Sequence, residues 1–168
     1  IFDRPNFEQN LYLSPLFLLF SIPGSLVTAL GEEIGWRGFF APELIKTVGF
    51  RRAVLLSGLV WAIWHFPLFV YGGYMAGAPL WYQLPVFTIE IIGLSLAMTW
   101  LREKTDSVWP AVLLHTFHNY FDQIIFNPST VGARAPYLIG ETGVITMICL
   151  LGAAFLATRI PYHQKKLD

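Results

Sequence analysis

The chain has 168 residues and a formal net charge of zero; 55% of its residues are hydrophobic and only 13% are charged. A soluble domain averages about 45–50% apolar and about 25% charged residues, so this composition indicates a membrane protein. The neutral charge gives no electrostatic basis for binding nucleic acid. The single cysteine, Cys149, excludes a disulfide framework and a cysteine-rich metal site.

Apolar segments long enough to cross a bilayer follow one another along the chain. They cover residues 11–35, 51–71, 80–101, 108–126 and 137–158. Glycine and proline mark the breaks, beginning with Pro42 and Gly49. We therefore predict an all-α, polytopic transmembrane helical bundle with about five spanning helices, forming a single domain over residues 1–168. The chain begins without methionine, so we expect part of the native N-terminus to be missing.

The basic residues alternate between the two sides that five crossings define. The connections after the first, third and fifth segments contain eight of them: Lys46, Arg51, Arg52, Arg102, Lys104, Arg159, Lys165 and Lys166. The opposite side contains two, Arg4 and Arg134. Because loops rich in Lys and Arg stay on the inner side of a membrane, we expect a cytoplasmic C-terminus.

Two adjacent carboxylates, Glu32 and Glu33, end the first apolar segment. A charged group costs roughly 2.5–3.5 kcal/mol at the centre of a membrane helix, so such residues are candidates for function. In a continuous helix, Glu33 and Arg37 form an i, i+4 pair in the favourable order. Glu32 then faces elsewhere and is free to act as a base towards water. The alternative is an ordinary Glu–Arg cap where the helix meets the headgroups.

The second segment contains His65, with Trp61 four residues earlier on the same face. As a functional residue, His65 would share a water molecule or a metal with Glu32. The alternative is a buried histidine that bonds to a backbone carbonyl and uses Trp61 as packing. His65 lies about 21 Å along its helix from Arg51, so it meets Glu32 only if the first helix continues inward past Arg37 or if the residues near Arg51 extend outside the bilayer. We favour the first of these and expect the first helix to continue over residues 38–44, until Pro42 disturbs it.

The fourth segment contains His115 and Asn119, which are i, i+4 neighbours and point the same way. Their N–H groups are suitable donors for the oxyanion of a tetrahedral intermediate. His118 and Asp122 form a second such pair, in which Asp122 orients an imidazole or lines a water-filled cavity. The alternative for the whole segment is a polar seam that holds helices together.

Other polar and aromatic residues carry weaker signals. Glu90, in the middle of the third segment, would bond either to the site or to a neighbouring helix. Glu141 and Asp106 are expected at membrane interfaces, and His163 belongs to a basic tail. An aromatic interfacial belt is expected from Trp81, Tyr82, Trp109 and Tyr137.

The three motifs, in this order, resemble those of the CAAX prenyl protease and bacteriocin-processing family (CPBP, or Abi) of intramembrane endopeptidases. The family pattern is Glu-Glu-x-x-x-Arg, then Phe-x-x-x-His, then His-x-x-x-Asn or Asp. The corresponding residues here are Glu32, Glu33 and Arg37, then Trp61 and His65, then His115 and Asn119. One departure is Trp61, where the family usually has phenylalanine.

The resemblance implies a role for each matching residue. Glu32 would be the catalytic base that activates water, His65 would position that water, and His115 with Asn119 would stabilise the oxyanion. Glu33 and Arg37 would be supporting residues, structural or substrate-positioning.

The resemblance implies proteolysis without a cofactor, although the family has also been described as metalloproteases. The residues leave zinc open, because Glu32, His65 and His115 could supply three ligands.

By the same resemblance, the partners are membrane lipids and a peptide or protein substrate. A prenylated CAAX tail, a bacteriocin leader peptide and a membrane-anchored regulator are all compatible. The expected location is a prokaryotic cell membrane. Two alternative functions stay open: a non-catalytic bacteriocin self-immunity factor or scaffold, and a proton-coupled transporter or channel that uses Glu32, Glu33 and Glu90 as a relay.

Overall fold

The computed structural model describes residues 14–75, 77–130 and 132–159. Its first long helix consists of three consecutive parts. Helix α1 covers Pro15–Gly35, a π-helical segment covers Trp36–Phe40, and α2 covers Ala41–Val48. Ser14 caps the start by accepting a hydrogen bond from the Phe17 amide. Gly49, with φ at 78°, ends it in a conformation that favours glycine.

The prediction that this helix continues beyond Arg37 is confirmed, but the expected disturbance at Pro42 is wrong. The α-helical pattern of hydrogen bonds resumes at Ala41, after the π-helical segment. Pro42 therefore lies in the first turn of α2. A proline is tolerated there because its missing N–H needs no helical partner. The chain therefore carries the Glu32 region well past the first predicted break.

Helices α3 (Phe50–Tyr71) and α4 (Leu80–Thr105) pack closely against each other. A Cβ atom added at Gly58 would lie only 3.0 Å from Ile92 Cα, so glycine permits this close approach. The hydroxyls of Ser57 and Ser95 are hydrogen bonded across the same contact at 3.2 Å. Small and hydroxyl side chains at a helix contact are typical of membrane bundles.

The remaining helices complete the bundle around α4. They are α5 (Trp109–Asn119), a π-helical segment (Tyr120–Phe126), α6 (Asn127–Ser129), α7 (Ala135–Leu138) and α8 (Val144–Thr158). Helix α5 packs on α1 and α4, and α8 packs on the other side of α4. Helix α4 is therefore the central rod, against which α3, α5 and α8 all pack.

The core lies between α3, α4 and α5, and its largest fully buried apolar side chains include Trp61, Phe87 and Met98. Large apolar side chains such as Phe20 and Val27 are exposed on the outside of the bundle. An extensive apolar exterior is what a lipid-facing surface requires, whereas a soluble protein rarely exposes one.

All five predicted segments contain helix, and no strand occurs in the part of the chain that the structure describes. Within the described ranges, three helices are long and apolar enough to cross a membrane: Pro15–Val48, Phe50–Tyr71 and Leu80–Thr105. Val144–Leu156 is a shorter apolar helix. The predicted all-α membrane bundle is thus confirmed. Its orientation stays a prediction, and Arg4, His163, Lys165 and Lys166 lie outside the described residues.

Candidate active site

The four residues predicted to be catalytic line one cavity, which has a volume of about 210 Å³. Glu32 comes from α1, His65 from α3, and His115 and Asn119 from α5. Three separate helices therefore bring the three sequence motifs to the same space. The convergence expected from the motifs is present in the structure, although their chemical roles stay predictions.

Glu32 is held by a side chain of the neighbouring helix. The indole N–H of the buried Trp61 donates a hydrogen bond to Glu32 Oε2 at 2.9 Å. One carboxylate oxygen of Glu32 is thus held by Trp61, and the other oxygen does not take part in this bond. From the sequence, Trp61 was expected only to pack as a large aromatic residue, and its bond to Glu32 was not predicted. The indole N–H could have indicated this bond, because a buried indole usually needs a hydrogen-bond acceptor.

Glu33 lies behind the cavity, with 0% of its surface exposed. Its Oε1 accepts hydrogen bonds from Arg37 Nη1 at 2.8 Å and from His115 Nδ1 at 2.9 Å. The predicted Glu33–Arg37 pair is confirmed, and its alternative interpretation as a headgroup cap is wrong because Arg37 is only 1% exposed. The bond to His115 was not predicted.

Arg37 links this ion pair to the Glu32 side of the cavity. Its guanidinium carbon lies 4.2 Å from the centroid of the Trp61 ring, a favourable cation–π distance. Its backbone carbonyl accepts a hydrogen bond from Arg102 Nε at 3.2 Å. A continuous chain of contacts therefore runs from His115 through Glu33, Arg37 and Trp61 to Glu32.

Both cavity histidines are bonded through Nδ1 to oxygen acceptors. His65 Nδ1 lies 2.9 Å from the backbone carbonyl of Trp61, and His115 Nδ1 lies 2.9 Å from Glu33. Because carbonyl and carboxylate oxygens only accept, each Nδ1 carries the proton. Nε2 is then an acceptor in a neutral imidazole and a donor in a protonated one. The carbonyl bond expected of a purely structural His65 is therefore present, and it also sets the tautomer that would orient water.

The two π-helical segments follow the site residues directly. Trp36–Phe40 comes after the two glutamates, and Tyr120–Phe126 comes after Asn119. Such segments are rare and occur frequently at functional sites, where the wider turn redirects side chains. Arg37 and Asp122 therefore lie in π-helical turns, whereas Glu33 and His118 lie in the α-helical turns before them.

Tyr74, Gln123 and Glu141 are hydrogen bonded to one another and line the cavity near the loop after α3. Tyr74 O–H donates to Glu141, and Gln123 Nε2 donates to Glu141 Oε1 at 2.7 Å and to the Tyr74 hydroxyl at 3.1 Å. Burial, reinforced by the Glu141 carboxylate, raises the pKa of Tyr74, so its phenol stays protonated as a donor. The expected interfacial position of Glu141 is wrong: it is buried inside the bundle and lines the cavity.

Asp106, the other acid expected at an interface, is exposed at the end of α4. It has a positive φ of 56° and forms an ion pair with Arg102 at 3.1 Å. This exposed helix end agrees with a position at the surface of the bundle.

Glu90, His118 and Asp122 form a separate buried cluster between α4 and the helix that begins with α5. His118 Nδ1 lies 3.0 Å from Asp122 Oδ2, which confirms the predicted i, i+4 pair, and His118 Nε2 lies 3.8 Å from Glu90 Oε1. Each residue of this trio offers a ligand atom, and these atoms all lie within 4.8 Å of one another. Among residues 14–75, 77–130 and 132–159, Glu32, His65 and His115 do not form such a group.

A wider groove of about 670 Å³ meets the cavity at Glu32. Its walls are mostly apolar, and it runs along α1 between Val27 and Phe40, with Trp64 of α3 opposite. Glu32 lines both spaces, so a ligand in the groove would pass beside this carboxylate.

These features define a helical membrane bundle with a glutamate, two histidines and an asparagine around one internal cavity. The family model described as type II CAAX prenyl endopeptidase Rce1-like matches residues 14–121, most of the chain. The chain therefore belongs to the Rce1-like family of type II CAAX prenyl endopeptidases, as the three motifs predicted.

A curated relative supports the same assignment. The CAAX prenyl protease 2 of Methanococcus maripaludis is 30% identical over 142 residues, which cover 82% of this chain and 48% of that protein. The chain thus spans about half the length of this relative. No solved structure matches the chain at a significant level.

Proposed function

We propose that this chain is the core of an intramembrane endopeptidase in which Glu32 activates water for attack on a peptide bond. The observation that carries the proposal is the convergence of Glu32, His65, His115 and Asn119 on one cavity within a chain of the Rce1-like family. The cavity is polar along these residues and enclosed by apolar helices, so it would hold water where lipid surrounds the bundle.

The attack on the peptide bond uses Glu32 of the first motif and His65 of the second. The Glu32 oxygen that Trp61 does not occupy accepts a proton from water as the water oxygen attacks the peptide carbonyl. His65 Nε2, an acceptor in the neutral tautomer, orients the same water. Collapse of the tetrahedral intermediate returns the proton from Glu32 to the leaving amine.

The oxyanion would be stabilised from α5. Asn119 offers an amide N–H, and His115 offers Nε2–H when its ring is protonated. The Glu33 carboxylate, bonded to Nδ1, supports that protonated ring and fixes its orientation. In this proposal Glu33, Arg37 and Trp61 are positioning residues, because they act through His115 and Glu32.

We propose the glutamate-type reaction without a resident metal at this cavity. Zinc is the alternative, since Glu32, His65 and His115 are suitable ligand types. Their ligand atoms are not drawn together within 4.8 Å in the described part of the chain. No step of the proposed reaction therefore needs an ion there.

The substrate that we propose is a peptide carrying a lipid chain, such as a prenylated CAAX tail. The apolar groove along α1 supports this choice, because it joins the cavity at Glu32 and would shelter a hydrocarbon chain beside the scissile bond. A membrane-anchored substrate also agrees with a site enclosed by membrane helices.

Replacing Glu32 with glutamine tests the reaction. Full-length protein in detergent should lose at least about 100-fold of its cleavage rate on a prenylated CAAX peptide, since a positioned base contributes about 10²–10⁴-fold. The control is Glu43→Gln, which changes an exposed carboxylate paired with Lys46. Cleavage by Glu32→Gln at the rate of the unmodified protein would overturn the assignment. A biological role that survives without Glu32 and His65 would favour the immunity-factor or scaffold alternative.

A leucine at Gly31 tests the lipid groove. A Cβ atom added there would meet no atom within 4 Å, so the helix should accept a larger side chain, and that side chain should occupy the groove that Gly31 lines. We expect the KM for a prenylated peptide to rise about tenfold and that for an unmodified peptide to change little. Gly24→Leu is the matched control, because Gly24 lies on the same helix, has equally open space and does not line the groove. Equal effects on both peptides would argue against a lipid-binding groove.

A further inference from the structure

We propose that Glu90, His118 and Asp122 bind a divalent transition-metal ion of the zinc or manganese class, at a site separate from the catalytic residues. Glu90 belongs to α4, whereas His118 and Asp122 belong to the helix that begins with α5 and to its π-helical continuation. The ligand atoms of the three side chains lie within 4.8 Å of one another. An ion held by all three would join α4 to α5.

The cluster contains buried polar atoms that lack partners. Glu90 is 0% exposed, and neither of its carboxylate oxygens has a hydrogen-bond partner among the described residues. His118 Nε2 and Asp122 Oδ1 are also buried and have no hydrogen bond within the described part of the chain. Buried polar atoms are nearly always satisfied, so four unsatisfied atoms on three neighbouring side chains point to a missing ligand.

Because carboxyl groups bind a metal in their ionised form, two acidic side chains in one cluster favour a cation over a neutral ligand. Glu90 and Asp122 have the same ion-pair partner, the imidazole of His118, which carries at most one positive charge. Glu141 lies close enough to interact electrostatically with both acids. A bound divalent cation would be the largest charge in this region and would compensate the carboxylates.

The donor set selects the class of metal. One imidazole nitrogen and two carboxylates suit zinc, manganese or iron, whereas calcium prefers six to eight oxygen ligands. Asp122 Oδ2 and His118 Nδ1 lie 3.0 Å apart. This is close to the separation of two ligand atoms that each lie about 2.0–2.2 Å from the same ion.

The position of His118 gives the ion a route into the cluster. His118 lines the 210 Å³ cavity, whereas Glu90 and Asp122 lie behind it. His118 also directly precedes Asn119, the proposed oxyanion donor. A metal that immobilises His118 would therefore hold the oxyanion side of α5 against α4, which makes the site structural rather than catalytic.

Metal binding by the full-length protein in detergent tests the proposal directly. After stripping with a chelator, we expect about one equivalent of Zn²⁺ or Mn²⁺ to bind in calorimetry and to raise the unfolding temperature. Glu90→Gln should weaken binding at least about tenfold, and the double substitution Glu90→Gln, Asp122→Asn should abolish it. Glu43→Gln, which alters an exposed carboxylate, should bind like the unmodified protein.

The unfolding temperatures of the metal-free proteins serve as the control for folding of the variants. Because Glu90→Gln replaces a buried carboxyl group, which has no hydrogen-bond partner among the described residues, with an amide of the same size, its stripped form should unfold at the same temperature as the stripped unmodified protein or higher. Loss of binding together with this stability supports the site. If Glu90→Gln unfolds early, Asp122→Asn replaces it in the binding measurement under the same criterion.

Glu32→Gln separates this site from the catalytic cavity. We expect it to keep full metal binding, because Glu32 is not part of the cluster. Metal binding that is lost in Glu32→Gln and kept in Glu90→Gln would place the ion in the cavity and overturn the proposal. Absence of any bound equivalent in the unmodified protein would also overturn it, whereas the proposed peptidase activity is judged by the Glu32 cleavage experiment alone.

Discussion

Glu33 and Glu90 are both glutamates with 0% exposure inside the same bundle, yet their surroundings differ completely. Glu33 accepts two short hydrogen bonds, from Arg37 and His115, and the guanidinium also stacks over an aromatic ring. Glu90 has one distant imidazole at 3.8 Å and no hydrogen bond from any described residue. Equal burial therefore does not mean equal function.

The difference indicates two kinds of preorganisation around one cavity. On the Glu33 side, Arg37 and His115 both bond to Glu33 Oε1, so the orientation of His115 is set before any substrate arrives, although Glu33 Oε2 and Arg37 Nε have no hydrogen-bond partner among the described residues. On the Glu90 side, the described residues offer one imidazole as a counter-charge, and in our proposal a bound ion would complete the cluster. Substitutions on the two sides should consequently have opposite effects on stability.

The largest expected effect is on the Glu33 side. Glu33→Gln leaves the buried Arg37 without its counter-charge, which we expect to lower the unfolding free energy in detergent by about 3 kcal/mol or more. Glu43→Gln should change it by less than about 0.5 kcal/mol, because its pair with Lys46 is exposed. If both variants are equally stable, the buried Glu33–Arg37 ion pair contributes no more to stability than the exposed Glu43–Lys46 pair.

An intermediate effect, on the catalytic rate, is expected at Trp61, which contacts both Arg37 and the proposed base Glu32. Trp61→Phe keeps an aromatic ring beside Arg37 but removes the N–H bonded to Glu32. Because a hydrogen bond to a charged group contributes about 1.5–3 kcal/mol, kcat should fall about tenfold or more with little change in KM. Trp81→Phe, at a residue that is 77% exposed and lines neither the cavity nor the groove, should retain kcat. An unchanged kcat in Trp61→Phe would reduce Trp61 to packing.

The smallest effect compares two threonines of similar burial. Thr99 Oγ1 has no hydrogen-bond partner among the described residues, whereas Thr116 Oγ1 donates to the Val112 carbonyl at 2.7 Å. Thr99→Val should be neutral or stabilise by up to about 1 kcal/mol, and Thr116→Val should destabilise by about 0.5–1.5 kcal/mol. Thermal unfolding in detergent measures both. Destabilisation by Thr99→Val would show that α4 has a partner for this hydroxyl after all.

The sequence predicted the helices and the site residues because both depend on local patterns. Long apolar runs specify membrane helices, and i, i+4 spacing places Glu33 with Arg37, and His118 with Asp122, on common helix faces. Three motifs in order also identified the family that the comparison confirmed. The error at Pro42 arose because a π-helical segment, which has no clear sequence signature, moved this proline into a tolerated position.

The sequence by itself determined which side chains are expensive to bury and which helix carries each of them. Only the tertiary structure decided their partners: Glu33 with His115, Trp61 with Glu32, and Glu141 with Tyr74 and Gln123. These pairs are 18 to 82 residues apart in sequence. Hydrogen bonds act over about 3 Å, so they depend on how whole helices pack and rotate, which no local spacing specifies.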